Sequence, residues 1–251
     1  MQLKDRVAVI TSVSGDVGQA IALRFAREGA RLGLIDDSYS VSASLAEKIK
    51  KLSGEAVPLA ADLTDKEQVQ KAFAAVAEKY KRVDILVNAT IRPKNRPLME
   101  MSESAWQNTV DVHLTGVFNC TQAAIQYMFG GDFGRIINIT IPVQDQFDDG
   151  KVNYAAASGG IEGLTKALSL ELGKYNITVN CLTIDFIDTT VFRESARKKG
   201  YYLEDLQKLA ICLNPLRRLG TVEEVAAVAT FLASGEASFL TGQLIAVRGG
   251  P

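Results

Sequence analysis

The chain has little with which to bind a metal or to staple itself. Its single histidine, His113, excludes a multi-histidine metal site, and Cys120, Cys181 and Cys212 lie far apart, in no metal-ligand spacing. An odd, sparse set of cysteines fits reduced thiols and predicts a cytoplasmic protein. Neither sign of charge dominates: 28 basic residues stand against 29 acidic ones, which excludes the basic footprint of a nucleic-acid binder. No apolar run approaches the roughly 20 residues of a membrane span. The opening MQLKDRVAVITS has no long apolar region and no small-residue cleavage site, so no signal peptide is expected. Repeats, low-complexity tracts and Pro/Gly-rich linkers are missing as well. One domain over residues 1–251 is the simplest organisation.

What is present is an alternation of two periodicities. Val7-Ala8-Val9-Ile10 is a short apolar run that reads as a buried strand. Residues 17–29 carry apolar types at helical spacing and stop on Gly29, a C-cap signal. The pattern continues with strands at 31–35, 56–60, 85–87, 135–139, 177–181 and 244–247. Helices are expected at 41–53, 66–80, 102–128, 152–174 and 221–233. Strands that alternate with helices need crossover connections, hence a parallel sheet covered on both faces. The expected fold is therefore α/β, a single doubly wound Rossmann-like domain that binds ligands beyond the carboxyl ends of its strands. The least regular stretch, 188–220, is expected to be either a lid over a substrate site or a surface excursion.

Five blocks resemble the short-chain dehydrogenase/reductase family, in the family's order and across essentially the whole chain. They are ITSVSGDVGQAIALRFAREGA, DVHLTGVFNCTQAA, GRIINIT, VNYAAASGGIEGLTKALSLELGKYNITVNCL and PLRRLGTVEEVAAVATFLAS with FLTGQLIAVRGG. The resemblance implies a nicotinamide cofactor and a serine, tyrosine and lysine around a substrate carbonyl. At most of the implied positions this chain departs from the pattern. The phosphate-binding T-G-x-x-x-G-x-G stands as Thr11-Ser12-Val13-Ser14-Gly15-Asp16-Val17-Gly18, so Gly18 alone of the glycines survives. Backbone amides and the helix dipole favour an anion at such a turn, and the Asp16 carboxylate opposes one. Asp16 is expected to occlude the diphosphate, unless the loop is displaced. Asp36, 18 residues past Gly18, matches the acidic residue that takes ribose hydroxyls and favours NAD. Asp62 matches the aspartate facing adenine. Either can equally be a turn or capping residue.

N-N-A-G becomes Asn88-Ala89-Thr90-Ile91, and the family asparagine on the long helix becomes His113, read as a packed core histidine or a proton path. Tyr154 persists. The serine position is Ile141, with Thr140 beside it, the lysine position is Ser158, and the later P-G pair is Ile184-Asp185. An isolated tyrosine has pKa ≈ 10, and losing a neighbouring cation removes the usual means of lowering it. Lys151 and Lys166 do not reproduce the lysine's spacing.

These departures predict a catalytically inactive, structural or regulatory subunit of a hetero-oligomeric NAD-dependent alcohol dehydrogenase, paired with an active short-chain dehydrogenase paralogue. Such a pairing resembles a two-subunit dehydrogenase acting on a benzylsuccinyl-CoA intermediate. The small residues Ala155, Ala156, Gly159, Gly160 and Gly163 would permit close helix approach at an interface, or merely pack the core. Remnant cofactor contacts would be Gly18, Asp36, Asp62 and Asn88, with no cofactor held tightly and NAD the one held if any. No metal, membrane or nucleic-acid partner is expected. The alternatives are a divergent active NAD-dependent oxidoreductase using Tyr154, or a module that senses a nucleotide or acyl thioester without turnover.

Overall fold

Strand β1 (Val7–Thr11) is buried at all its positions, as a strand covered on both faces must be. Its side chains alternate between two cores. Ala8 and Ile10 join Ile21 and Phe25 of α1 (Asp16–Arg27), while Val7 and Val9 join Phe73 and Val76 of α3 (Lys66–Tyr80). Each fully buried Phe or Ile contributes about 1.5–3 kcal/mol of apolar burial. The computed structural model describes residues 1–91, 96–142, 150–198 and 200–250.

The remaining elements are β2 (Arg31–Asp36), α2 (Tyr39–Lys51), β3 (Glu55–Ala60), β4 (Ile85–Asn88), α4 (Glu103–Val110), α5 (Gly116–Met128), β5 (Gly134–Thr140), α6 (Val152–Leu172), β6 (Ile177–Ile184), α7 (Thr190–Lys198), α8 (Leu203–Leu213), α9 (Val222–Ala233) and β7 (Leu244–Val247). Among the described residues the strands form one parallel sheet in the order β3-β2-β1-β4-β5-β6-β7. The chain winds outward from β1 to β3, then returns to place β4 on the other side of β1. That reversal opens a crevice past the carboxyl ends of β1 and β4. The doubly wound α/β expectation is met.

Local chemistry sets the helix starts. Asp65 caps α3 by accepting from the amides of Glu67 (2.9 Å) and Gln68 (3.2 Å), and Thr221 and Glu224 form a reciprocal capping box on α9. Such caps contribute about 1 kcal/mol each.

Two elements differ from the sequence reading. The helix expected over 102–128 is interrupted by a π-helical turn, Asp111–Thr115, that carries His113. The stretch 188–220, read as irregular, holds α7 and α8. Helices of nine and eleven residues repeat an apolar spacing too few times to stand out from mixed charge. Residue 199, inside that stretch, lies outside the described residues. The small residues of α6 divide. A Cβ on Gly160 would stand 2.8 Å from Leu114 Cδ2, so that glycine serves packing within the chain. Gly163 faces an apolar groove of about 440 Å³ beside Phe118 and Leu164. No helix among the described residues is long and apolar enough to cross a membrane.

Burial gives the fold a definite pH dependence. It pushes the thiols of Cys120 and Cys181 and the phenol of Tyr80 up to about 12, and raises Tyr154 as well. The unfolded chain releases these protons first, thiols near 8.5 and phenols near 10. It therefore binds fewer protons than the folded chain above about pH 8.5, and stability falls as pH rises. In reducing buffer, the thermal midpoint is expected to drop steadily between pH 8.5 and 11, and Cys120→Ala should flatten the first part of that slope. A midpoint constant to pH 10.5 would contradict this.

Candidate active site

The crevice begins at the turn between β1 and α1. Ser12 stands in the left-handed region, φ 55°, a conformation that costs a residue other than glycine free energy. Its hydroxyl is bonded to Thr90 Oγ1 at 2.7 Å, a buried contact that offsets the cost. Gly18 keeps α1 against this turn, since a Cβ there would come within 2.9 Å of the Ser12 carbonyl oxygen. The Gln19 amide is the first of α1 to reach a helical acceptor, Gly15 O at 3.0 Å. The amides of Asp16, Val17 and Gly18 ahead of it are the donors an anion would meet. The Asp16 carboxylate is turned toward α7, where Oδ2 accepts from the Thr190 amide at 2.5 Å.

Asp36 ends β2 almost fully buried and accepts from the amides of Ser14 (2.7 Å) and Ser38 (3.3 Å). Burial raises its carboxyl pKa, the neighbouring Asp37 adds to that, and the Ser14 and Ser38 contacts oppose it. The residue expected at a ribose therefore also holds the phosphate turn in shape. Asp62 is a local turn residue. Its Oδ1 accepts from both the amide (2.9 Å) and the hydroxyl (2.7 Å) of Thr64. Asn88 is buried and donates to Asn138 Oδ1 at 2.8 Å.

Tyr154 lies in the first turn of α6. Asn153 fixes that turn by donating to Thr109 Oγ1 on α4 (2.7 Å) while its Oδ1 accepts from the Tyr154 amide (2.8 Å). His113 comes to the phenol from the π-helical turn. The two rings meet edge-on, with centroids 4.6 Å apart. His113 Nδ1 is bonded to the Thr90 carbonyl at 3.2 Å, so Nδ1 carries a hydrogen. Burial is the main cause that raises the Tyr154 pKa, and Cys181 adds to it. The Ile141 amide and the Ser158 hydroxyl act in the opposite direction. Ser158 Oγ is buried and completes no hydrogen bond among the described residues, so its effect on the phenol is one of proximity. Thr140 does not stand in for the family serine, because its hydroxyl donates to the Ile141 carbonyl at 2.8 Å. Lys151 is the residue that precedes α6, and Lys166 is exposed. In place of the P-G pair, Asp185 Oδ1 accepts from the Phe186 amide at 2.8 Å.

The structure thus joins three positions where the chain departs from the family. Ser12 binds the Thr90 hydroxyl, the Thr90 carbonyl binds His113, and His113 packs on Tyr154. Sequence reasoning quoted Thr90 without giving it a role and missed Asn153 altogether. The signal for both was a polar residue in an apolar setting, since a buried side chain of that kind must find partners. Among the described residues, no group of three or more His, Cys, Asp or Glu residues is gathered to hold a metal ion.

Comparison with known proteins gives matches along nearly the full length. The family described as Enoyl-(Acyl carrier protein) reductase matches residues 13–251. The 3-oxoacyl-(acyl-carrier-protein) reductase FabG of Thermotoga maritima is 36% identical over 100% of this chain and 99% of its own. The (2S)-((R)-hydroxy(phenyl)methyl)succinyl-CoA dehydrogenase subunit BbsD of Thauera aromatica is 34% identical over 100% and 98%. Among solved structures, carveol dehydrogenase of Mycobacterium avium in complex with NAD superposes with a TM-score of 0.92 at 25% identity, covering 99% of this chain and 98% of that one. Levodione reductase does so at 0.91 and 28%, covering 98% and 97%.

These findings overturn the expectation of a catalytically inactive subunit. The relatives that match end to end are reductases and dehydrogenases, and none of them points to an inactive partner chain. The departures, taken together, pointed to a lost site, whereas in the fold Ser12, Thr90 and His113 support one another and end on the retained phenol. By sequence along its whole length and by fold, the chain belongs to the short-chain dehydrogenase/reductase family.

Proposed function

We propose that the chain is an NAD-linked oxidoreductase that works chiefly as a carbonyl reductase, with Tyr154 as its general acid. The observation that carries this reading is the placement of the phenol: Tyr154 is buried in the first turn of α6 and packs edge-on against His113, and a phenol is a proton donor at neutral pH. A reductase needs a proton donor at the nascent alkoxide. A dehydrogenase needs the phenolate, and with no lysine one turn on from Tyr154 the site has weak means to form it.

The residues at the crevice fit a dinucleotide. The amides of Asp16, Val17 and Gly18 would take the diphosphate, Gly18 allows the close approach, and Asp36 at the end of β2 would take ribose hydroxyls. When bound, the cofactor supplies the hydride. Tyr154 donates its proton to the substrate oxygen, and the Ile141 amide favours the phenolate left behind. The neighbouring His113 ring and the Asn153 anchor hold the phenol in place against loss of orientation. The substrate class we favour is a 3-oxoacyl thioester. Two of the relatives are named for acyl thioesters, one carried on a protein and one on CoA.

Four outcomes test this reading. With a 3-oxoacyl thioester and NADH, the reduction rate should stay level from pH 6 to 9, while the reverse oxidation should rise about tenfold per pH unit as phenolate forms. Tyr154→Phe should lower reduction by about 10²–10⁴-fold and leave NADH binding in place. A purified protein that binds NADH but reduces no carbonyl compound would defeat the proposal. Asp36 should make NADH preferred to NADPH by at least about tenfold, because a carboxylate opposes the 2′-phosphate. Asp36→Ala should narrow that preference and cost about 1–3 kcal/mol of stability through the freed Ser14 amide. Equal use of the two cofactors by the unmodified protein would exclude the role given to Asp36. Ser158→Lys should move the rise of oxidation to lower pH, since a cation beside the phenol favours its ionised form. An unmoved profile would show that the new cation does not act on the phenol.

A further inference from the structure

An aspartate at a diphosphate turn is an electrostatic conflict, and the structure shows what answers it. The Asp16 carboxylate lies at the N-terminus of α7, where the Thr190 amide donates to Oδ2 at 2.5 Å. α7 is nine residues long, so its first turn presents a partial positive charge to that carboxylate. Thr189 caps the same turn by accepting from the Phe192 amide at 3.1 Å. Arg193, one turn on, is gripped by Asp188 through two bonds of 2.5 and 2.6 Å. The guanidinium pKa is raised mainly by Asp188 and further by the Asp16 charge, so Arg193 stands within the field of both acids. The segment before α7 is pinned in turn, with the Asp188 amide on Gly220 O and the Gly220 amide on Phe186 O, both 2.9 Å.

We propose that α7 is a working part of the cofactor site. Its first amide binds the Asp16 carboxylate, so that docking of α7 and binding of a dinucleotide diphosphate at the α1 amides are positively coupled through that carboxylate. The inference rests on the dinucleotide reading given above. With α7 docked, the negative charge faces the α7 amides and the diphosphate meets donors alone. With α7 undocked, the same charge lies uncompensated beside two phosphate groups. Diphosphate binding therefore penalises the undocked state, and by linkage docking strengthens binding to the same degree. The Asp16 carboxylate and Thr190 act here as positioning groups, since neither needs to touch the cofactor.

Hydrogen exchange of the amides of residues 191–197, with and without saturating NADH, reads this coupling directly. Calorimetry on the same samples reports whether NADH binds. In the unmodified protein NADH should slow exchange in α7 by about tenfold or more. Asp16→Ala removes the acceptor, and Thr190→Pro removes the donor at a first helical position where proline is well tolerated. Both variants should exchange faster in α7 without ligand, and NADH should then alter that exchange less than about twofold. Binding of NADH without any change in α7, or with faster exchange there, would overturn the coupling while leaving the dinucleotide reading intact. Full protection retained in Asp16→Ala would overturn it as well. Absence of NADH binding in the unmodified protein would overturn the dinucleotide reading and the coupling together. Unliganded exchange that is equal in all three proteins would show that the Asp16–Thr190 contact does not hold α7.

Discussion

A buried polar seam through the middle of the sheet is the constraint on which the site depends. Thr11, Asn88 and Asn138 are neighbours in register across β1, β4 and β5. Thr11 Oγ1 accepts from the Ala89 amide, Asn88 donates to Asn138 Oδ1, and Asn138 donates to Thr165 Oγ1 on α6 at 2.9 Å. Apolar side chains alone would tolerate a shifted strand or a helix slid along the sheet, because dispersion and hydrophobic burial have little direction. Amide-to-amide bonds do have direction, and breaking one in a dry interior leaves an unpaired group at a cost of about 1–3 kcal/mol. The seam therefore fixes α6 against β5. Tyr154, three turns before Thr165, takes its place over the crevice as a consequence.

From that fixed frame the altered positions make sense as a set. A serine with positive φ in the phosphate turn looks like damage when it is read as a missing glycine. It reads differently with the Thr90 hydroxyl 2.7 Å away, because the pair gives the turn a tie to the loop after β4 that glycine would lack. Thr90 in turn offers its carbonyl to His113, which replaces an asparagine and fills the space beside the phenol. All four residues are buried. Their pairing meets the demand that a dry interior makes of any buried polar group, and it ties the altered positions into one connected set.

Much of the fold was legible because it depends on periodicity. The strand 244–247 and the helix 66–80 are where the apolar spacing puts them, and the winding follows from the alternation of the two periods. What escaped was information about pairs. Nothing in the order of residues says that Ser12 meets Thr90 across 78 positions, or that Asn153 holds Thr109. The π-helical turn was hidden for a related reason. One extra residue turns the rest of a long helix by about 100°, and the apolar runs on either side of it are each too short to reveal the change of phase. Asp62 shows the converse. Its place matches a family position, and pattern alone could not say that its side chain also closes a turn on Thr64.

The missing lysine bears on direction more than on capacity. A phenol taken out of water resists ionisation, and with serine in the lysine's place the resistance stands. For a general base this is a handicap, since the reactive form is scarce at neutral pH. For a general acid the same fact keeps the proton in place until an oxygen of higher basicity arrives, and an alkoxide formed by hydride delivery is such an oxygen. The Ile141 amide and the Ser158 hydroxyl then become useful at the moment of transfer, because they favour the charged phenolate without having drawn the proton off beforehand. Neutral donors around a buried phenol give a site that releases its proton on demand and recovers it readily. On the reading proposed above, a serine in the lysine's place leaves the acid itself intact.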